Sequence, residues 1–240
     1  MVNTFFRFFY VFLIICIVSG CASHKKNVAK QGLYTLEVER VIEQPSGEAR
    51  ERILEIKPFR ISPRYQDITL TYQKNNSWFQ TERNQAFIQP PEILITDQVS
   101  RYLSHTGLFN TAIQGKTKLK VTQTLEGAIT ALYGDFDSPK GPLAIMEIQF
   151  FLLEPSPEDY SIEDLMQIQN EKKKKKKSVQ DNPLKIVLQT GFRIETEIVK
   201  PTPESLVQGW NNGLESILQN FESDLKKFFK ERNSSEYPDE

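Results

Sequence analysis

Residues 119–133 read LKVTQTLEGAITALY, residues 144–152 read AIMEIQFFL, and residues 186–198 read IVLQTGFRIETEI. In the first stretch Leu119, Val121, Leu125, Ile129, Ala131 and Tyr133 hold odd positions, with Gln123 and Gly127 interrupting the row. In the second, Ala144, Met146, Ile148, Phe150 and Leu152 hold even positions. In the third, so do Ile186, Leu188, Phe192, Ile194 and Ile198, with Thr190 and Thr196 between them. Side chains of an extended chain alternate between faces, so period two over this length predicts three long strands, each burying one face. Joined in sequence, they form an antiparallel meander. An apolar sheet face this wide needs a cover.

The cover lies downstream. Thr202 suits an N-cap and Pro203 the first helical position. Leu206, Trp210, Leu214, Ile217, Phe221, Leu225 and Phe228 then recur at spacings of three and four, one stripe along a long helix. In that stripe Trp210 reads as core. Residues 233–240 read as a disordered tail.

Upstream, the alternation of Tyr34, Leu36 and Val38, the run 53–59 and the segment 68–72 each read as strands. Trp78-Phe79 follows a turn-like stretch, residues 74–77. Residues 91–108 read as a helix, with Ile95, Val99, Tyr102 and Leu103 on one face and Gly107 in the C′ position. Residues 109–113 re-enter the sheet. The fold class is mixed α/β: a largely antiparallel or mixed β-sheet covered by helices, including the long C-terminal amphipathic one. Between the second and third long strands, residues 155–183 form a loop insert. It carries Glu158, Asp159, Glu163, Asp164 and Glu171 ahead of six consecutive lysines, Lys172 through Lys177. Such a run repels itself and belongs in solvent.

The first twenty residues read as a leader. Arg7 is their only charge, and residues 8–18 form an apolar run too short to span a bilayer, matching the centre of a secretory signal. It closes in Val18-Ser19-Gly20-Cys21, which resembles a bacterial lipobox. Cys21 is therefore the expected lipid-attachment residue, acylated after cleavage of residues 1–20. Cys16 leaves with the leader, so the mature chain holds no second thiol for a disulfide. Several acyl chains anchor a protein stably where one does not. Ala22 follows the cysteine instead of the inner-membrane retention aspartate, so an outer-membrane anchor facing the periplasm is expected. Residues 21–32, with His24, Lys25, Lys26 and Lys30, form the tether, and 33–232 the folded domain.

With Arg7 removed, the net charge goes from −1 to −2. Near-neutral balance argues against a nucleic-acid binder, which usually shows a strongly basic face. Beyond the tether His105 is the lone histidine, so no histidine-rich metal site and no Cys–His pair can be assembled. The chain has no Gly-x-Ser-x-Gly, no phosphate-cradling glycine loop and no His-Glu-x-x-His. Asp135 and Asp137 flank Phe136 in a turn-rich segment and read as solvated. No catalytic residue, cofactor or metal is expected, and no enzyme activity.

A family resemblance lies in residues 61–113. After a strand ending at Phe59 come Tyr65-Gln66-Asp67, Thr69-Leu70-Thr71-Tyr72, Trp78-Phe79, Phe87 and Pro91-Glu92-Ile93-Leu94. The helix closes in Leu103-Ser104-His105-Thr106-Gly107-Leu108-Phe109. This order, with the lipobox and the long terminal helix, resembles the ABC-type transport auxiliary lipoprotein family, which includes PqiC-like proteins. The Lys-rich insert departs from it. The resemblance implies partnership with an MCE-type periplasmic protein and an ABC transporter that move lipid between membranes. The lipoprotein would dock the conduit at the outer membrane and catalyse nothing. The alternative is a structural lipoprotein assisting envelope assembly, and a homo-oligomer is compatible with either. The loops 73–77 and 135–140 are the first candidate docking segments.

Cys21→Ala is expected to leave an unlipidated, uncleaved precursor. A variant that matures to normal size and stays on the membrane would contradict the lipobox reading.

Overall fold

The computed structural model describes residues 32–74, 78–115, 117–156 and 184–236. The leader, Cys21, nearly all of the tether and insert, and residues 237–240 lie outside that description.

The meander forms as expected. Strands β7 (Gln123–Asp135), β8 (Leu143–Pro155) and β9 (Leu184–Glu197) pair antiparallel in chain order. The other side of β7 is shared by three strands laid end to end, all parallel to it. These are β2 (Ile53–Ile56), β3 (Arg60–Ile61) and β4 (Thr69–Lys74). Beyond β2 lies β6 (Thr111–Gln114), in parallel. Beyond β4 come β5 (Trp78–Phe87), antiparallel, and the short β1 (Gly32–Tyr34), parallel to β5. The result is one mixed nine-stranded sheet with β7 as its spine.

Two of the three alternating rows are broken, each by one extra residue. On β7 Ile129 opposes Ile148 but Ala131 opposes Glu147, so Thr130 is unpaired. A bulge of this kind inverts the parity of every side chain after it. Leu125 and Ile129 therefore share a face with Leu132 and Gly134, while Ala131 and Tyr133 turn to the other. The strand also starts at Gln123 and leaves Leu119 half exposed. On β9 Leu188 opposes Leu152 while Ile186 opposes Leu153, which makes Val187 the extra residue. Val187 packs against the core in place of Ile186, which is half exposed.

Helix α1 (Pro91–Ser104) ends earlier than expected, and Gly107 sits two residues past its cap His105, not one. The glycine requirement is real there: φ is +68°, and a Cβ would meet the Gln44 carbonyl oxygen at 3.1 Å. Strand β5 runs to Phe87, much longer than the Trp78-Phe79 signal. The strand expected through Leu36 and Val38 stops at Tyr34, although both residues are buried.

Helix α2 (Pro203–Glu236) covers the row of even-numbered residues on β8. The Ser205 N–H donates to Thr202 Oγ1 (3.3 Å), and the Leu206 N–H to the Thr202 carbonyl (2.9 Å), which caps the first turn. From Leu206 to Leu225 the stripe is buried, but Phe229 takes the buried place expected of Phe228. Phe221 stacks on Phe150 with centroids 4.1 Å apart, and Trp210 lies 5.5 Å from Phe87. The indole N–H of Trp210 donates to the Ile145 carbonyl at 3.1 Å, so the buried polar end of the ring is satisfied. The helix runs past Arg232 into the stretch expected to be disordered. Arg232 Nη1 lies 2.6 Å from a Glu154 carboxylate oxygen on β8.

Near the start of α2, Gly209 lets the helix sit on the sheet. A Cβ there would lie 2.6 Å from Ala144 Cβ and 2.6 Å from Ile198 Cγ2. In a free helix Gly→Ala gains about 1 kcal/mol. Here the overlap should reverse the sign, since overpacking costs about 1–3 kcal/mol. Gly209→Ala should therefore lower the urea midpoint, and Phe221→Ala should remove about 3–5 kcal/mol of stability. A raised midpoint for Gly209→Ala would contradict the helix position.

Candidate functional site

The two candidate docking loops, far apart in sequence, meet at one rim. Gln73 pairs with Asp135 across β4 and β7, and Lys74 pairs with Trp78 at the head of β5. Asp135 in turn opposes Leu143, and Leu143 opposes Glu197. Five strands thus present their ends together, with the loops 136–142 and 198–202 projecting beyond them; residues 75–77 of the β4–β5 turn are outside the described residues. Trp78 is 57% exposed and Val199 92% exposed on this rim. Exposed aromatic and aliphatic side chains on loops held by a rigid sheet are the usual material of a binding surface.

The acidic pair on the rim shapes the loop. Asp135 Oδ1 accepts the Asp137 N–H at 3.1 Å, and the Gly141 N–H donates to the Ser138 carbonyl at 3.0 Å. Among the described residues no group of three or more His, Cys, Asp or Glu is placed to hold a metal. His105 caps α1, and its carbonyl accepts the Glu43 N–H at 2.8 Å.

On the sheet face away from α2, the bulge in β7 brings Tyr133 into an aromatic cluster. Tyr65 stacks on Tyr133 at 5.9 Å, and Phe79 meets Tyr133 edge-on at 5.5 Å. Arg64 lies over the Phe79 ring at 4.4 Å, and Arg193 Nη2 donates to the Tyr133 hydroxyl at 3.1 Å. This cluster joins residues 64 and 65 and strands β5 and β9 to β7.

The best-formed polar cluster lies elsewhere. It lines a shallow cleft of about 380 Å³ between the segment 35–46 and helices α1 and α2. Glu222, on α2, is buried. One of its oxygens accepts Arg40 Nη2 at 2.8 Å and lies 2.7 Å from Lys226 Nζ; the other accepts the Tyr102 hydroxyl at 2.8 Å. Arg40 also donates to Glu43 at 2.7 Å. Burial pushes the Glu222 carboxyl up, but the hydrogen bonds from Lys226, Tyr102 and Arg40 together outweigh it and hold it below the usual range. Burial and the neighbouring Glu222 charge push the Tyr102 hydroxyl well up.

This cluster serves as a clamp. Apart from an isolated Glu43–Thr106 bridge, the segment 35–46 forms no ladder in the sheet, and side chains hold part of its backbone. The Glu37 N–H donates to Asn211 Oδ1 (3.1 Å) and the Val38 N–H to Gln98 Oε1 (3.0 Å). Glu222 then holds the segment through Arg40. The sequence signal was available: Glu222 is flanked by Leu218 and Leu225 at helical spacing, an acid beside an apolar stripe. Its partner Arg40 carries no local signal.

No family model and no curated protein matches the chain. Solved structures match in fold. Protein XCC0632 from Xanthomonas campestris, described under the family model DUF330, aligns with a TM-score of 0.59 at 12% identity. The alignment covers 85% of this chain and 99% of that one. An uncharacterized protein aligns with a TM-score of 0.56 at 12% identity, over 82% of this chain and 99% of that one. The chain is thus a mixed α/β domain with the fold of these two structures.

Because the Glu222 carboxyl lies below its unfolded value of about 4.3, its stabilising contribution is present above that pH and is lost as pH falls through the folded value. Glu222→Gln should cost about 1.5–3 kcal/mol at neutral pH, the range for hydrogen bonds to charged groups. It should also flatten the loss of stability on acidification. Unfolding free energies measured from neutral to acid pH would contradict the clamp if the two proteins ran parallel.

Proposed function

We propose that the chain is a lipid-anchored envelope protein, the auxiliary lipoprotein of an ABC/MCE-type lipid transport system, docking the periplasmic conduit at the outer membrane. The observation that carries this reading is the leader closing in Val18-Ser19-Gly20-Cys21, ahead of a short basic tether and a domain with the motif order 61–113. The geometry supports binding. The buried Glu222 cluster is occupied in holding the segment 35–46, and the rim of strand ends offers Trp78 and Val199 on rigid supports. In this role the acylated cysteine sets the distance from the membrane, and the rim meets the MCE-type protein, while the ATPase of the transporter powers lipid movement between the two membranes. The protein turns over no substrate.

Photo-crosslinking in cells tests this, with a benzophenone amino acid placed at Trp78 or Val199. Mass spectrometry of the adducts should recover an MCE-type protein, and deletion of the gene should leave a leaky outer membrane. If neither position captures a transport component and the barrier stays intact, the structural-lipoprotein role takes its place.

A further inference from the structure

The exposed aliphatic side chains are not scattered evenly. Three of them, Leu33, Ile68 and Ile88, are 61%, 42% and 54% exposed, and the backbone ties them to one corner of the sheet. Leu33 pairs with Ala86 across β1 and β5. The Ile88 N–H donates to the Tyr34 carbonyl at 2.8 Å, and the Phe87 N–H to the Ile68 carbonyl at 2.8 Å. A fourth, Ile93, is exposed on the first turn of α1, which begins three residues after Ile88. Phe87 and Ala86, beside them on β5, are buried, so the corner has a rigid floor.

The position of this corner identifies what it meets. Leu33 is the first residue after the tether, and the chain between it and Cys21 carries Lys25, Lys26 and Lys30. Eleven residues lie between Cys21 and Leu33, so the twelve Cα–Cα steps reach at most about 43 Å even when fully extended. An acylated Cys21 would therefore hold this corner within that reach of the bilayer, at high effective concentration. Aliphatic side chains that follow a basic segment in the chain are the material of an interfacial contact, with the apolar groups at the acyl boundary and the lysines free to meet anionic head groups.

We infer that Leu33, Ile68 and Ile88 form a membrane-contact corner that rests in the interfacial layer of the bilayer carrying the lipid anchor. The inference rests on the lipidation reading. By seating the domain on this corner, the contact sets its orientation on the membrane, whereas the tether alone would let it tumble.

Single cysteines at Leu33, Ile68 or Ile88, with Val199→Cys as a rim control, would be labelled with bimane in the lipidated mature protein. That protein would be reconstituted in phosphatidylethanolamine–phosphatidylglycerol vesicles containing doxyl-labelled lipid. Cys21 carries acyl groups and does not react. The corner positions should show blue-shifted emission and quenching by the doxyl lipid, and position 199 neither. Corner labels as solvent-exposed as the one at 199, in protein that floats with the vesicles, would overturn the membrane contact and leave lipidation standing. Protein that does not float would overturn both. All four positions are surface sites, and far-UV circular dichroism and the melting temperature of each variant establish that the domain is folded.

Discussion

The contact on which the rest of the domain depends is that between helix α2 and the even-numbered row of β8. Phe221 lies flat on Phe150, Trp210 hydrogen-bonds the backbone of β8, and Leu214, Ile217 and Leu225 fill the space between. Each such side chain contributes on the order of 1.5–3 kcal/mol when fully buried. Without that cover β7 and β8 would present a continuous apolar face to water. The three short parallel strands β2, β3 and β4 add little on their own, because each pairs with β7 over only two or three residues. They depend on the spine that α2 stabilises. The close seat at Gly209 fixes where the helix starts, and the Arg232–Glu154 pair holds its far end.

Much of this was legible in the sequence, for a physical reason. Alternation on 144–152 and the stripe from Leu206 to Leu225 are local consequences of burial on one face, so periodicity reveals them directly. The bulges at Thr130 and Val187 are different. Each is defined by what the neighbouring strand does, and nothing in the residues themselves marks the extra one. The odd row through Tyr133 therefore read as one face when it belongs to two. The consequence matters for the site, since the bulge delivers Tyr133 to the aromatic cluster with Tyr65 and Phe79. The strand expected through Leu36 and Val38 fails for a related reason. Leu36 and Val38 are buried like strand residues, but Asn211 and Gln98 hold the amides of Glu37 and Val38, and both come from distant helices.

Of the candidate site, the loops were legible as exposed turns, but their adjacency was not. Only the register of β4 on β7 places residues 73 and 135 side by side. Cys21 remains a sequence reading, carried by the order of residues at the leader. Taken with the aliphatic corner at Leu33 and the rim at Trp78 and Val199, the domain offers two separate surfaces on one scaffold. One follows directly from the tether; the other is built from strand ends. The Glu222 clamp joins the segment after β1 to both helices, so that segment is fastened to the core before the chain enters loops.

Packed in this way, α2 and the meander form a single cooperative unit. Native-state hydrogen exchange under mild denaturant tests it most directly. The amides of residues 214–225 should exchange only through the same global opening that exposes those of β7 and β8, with equal free energies and equal denaturant dependence. If the helix amides instead exchanged through a smaller opening while the strands stayed protected, α2 would be a separable cover, and the claim would fail.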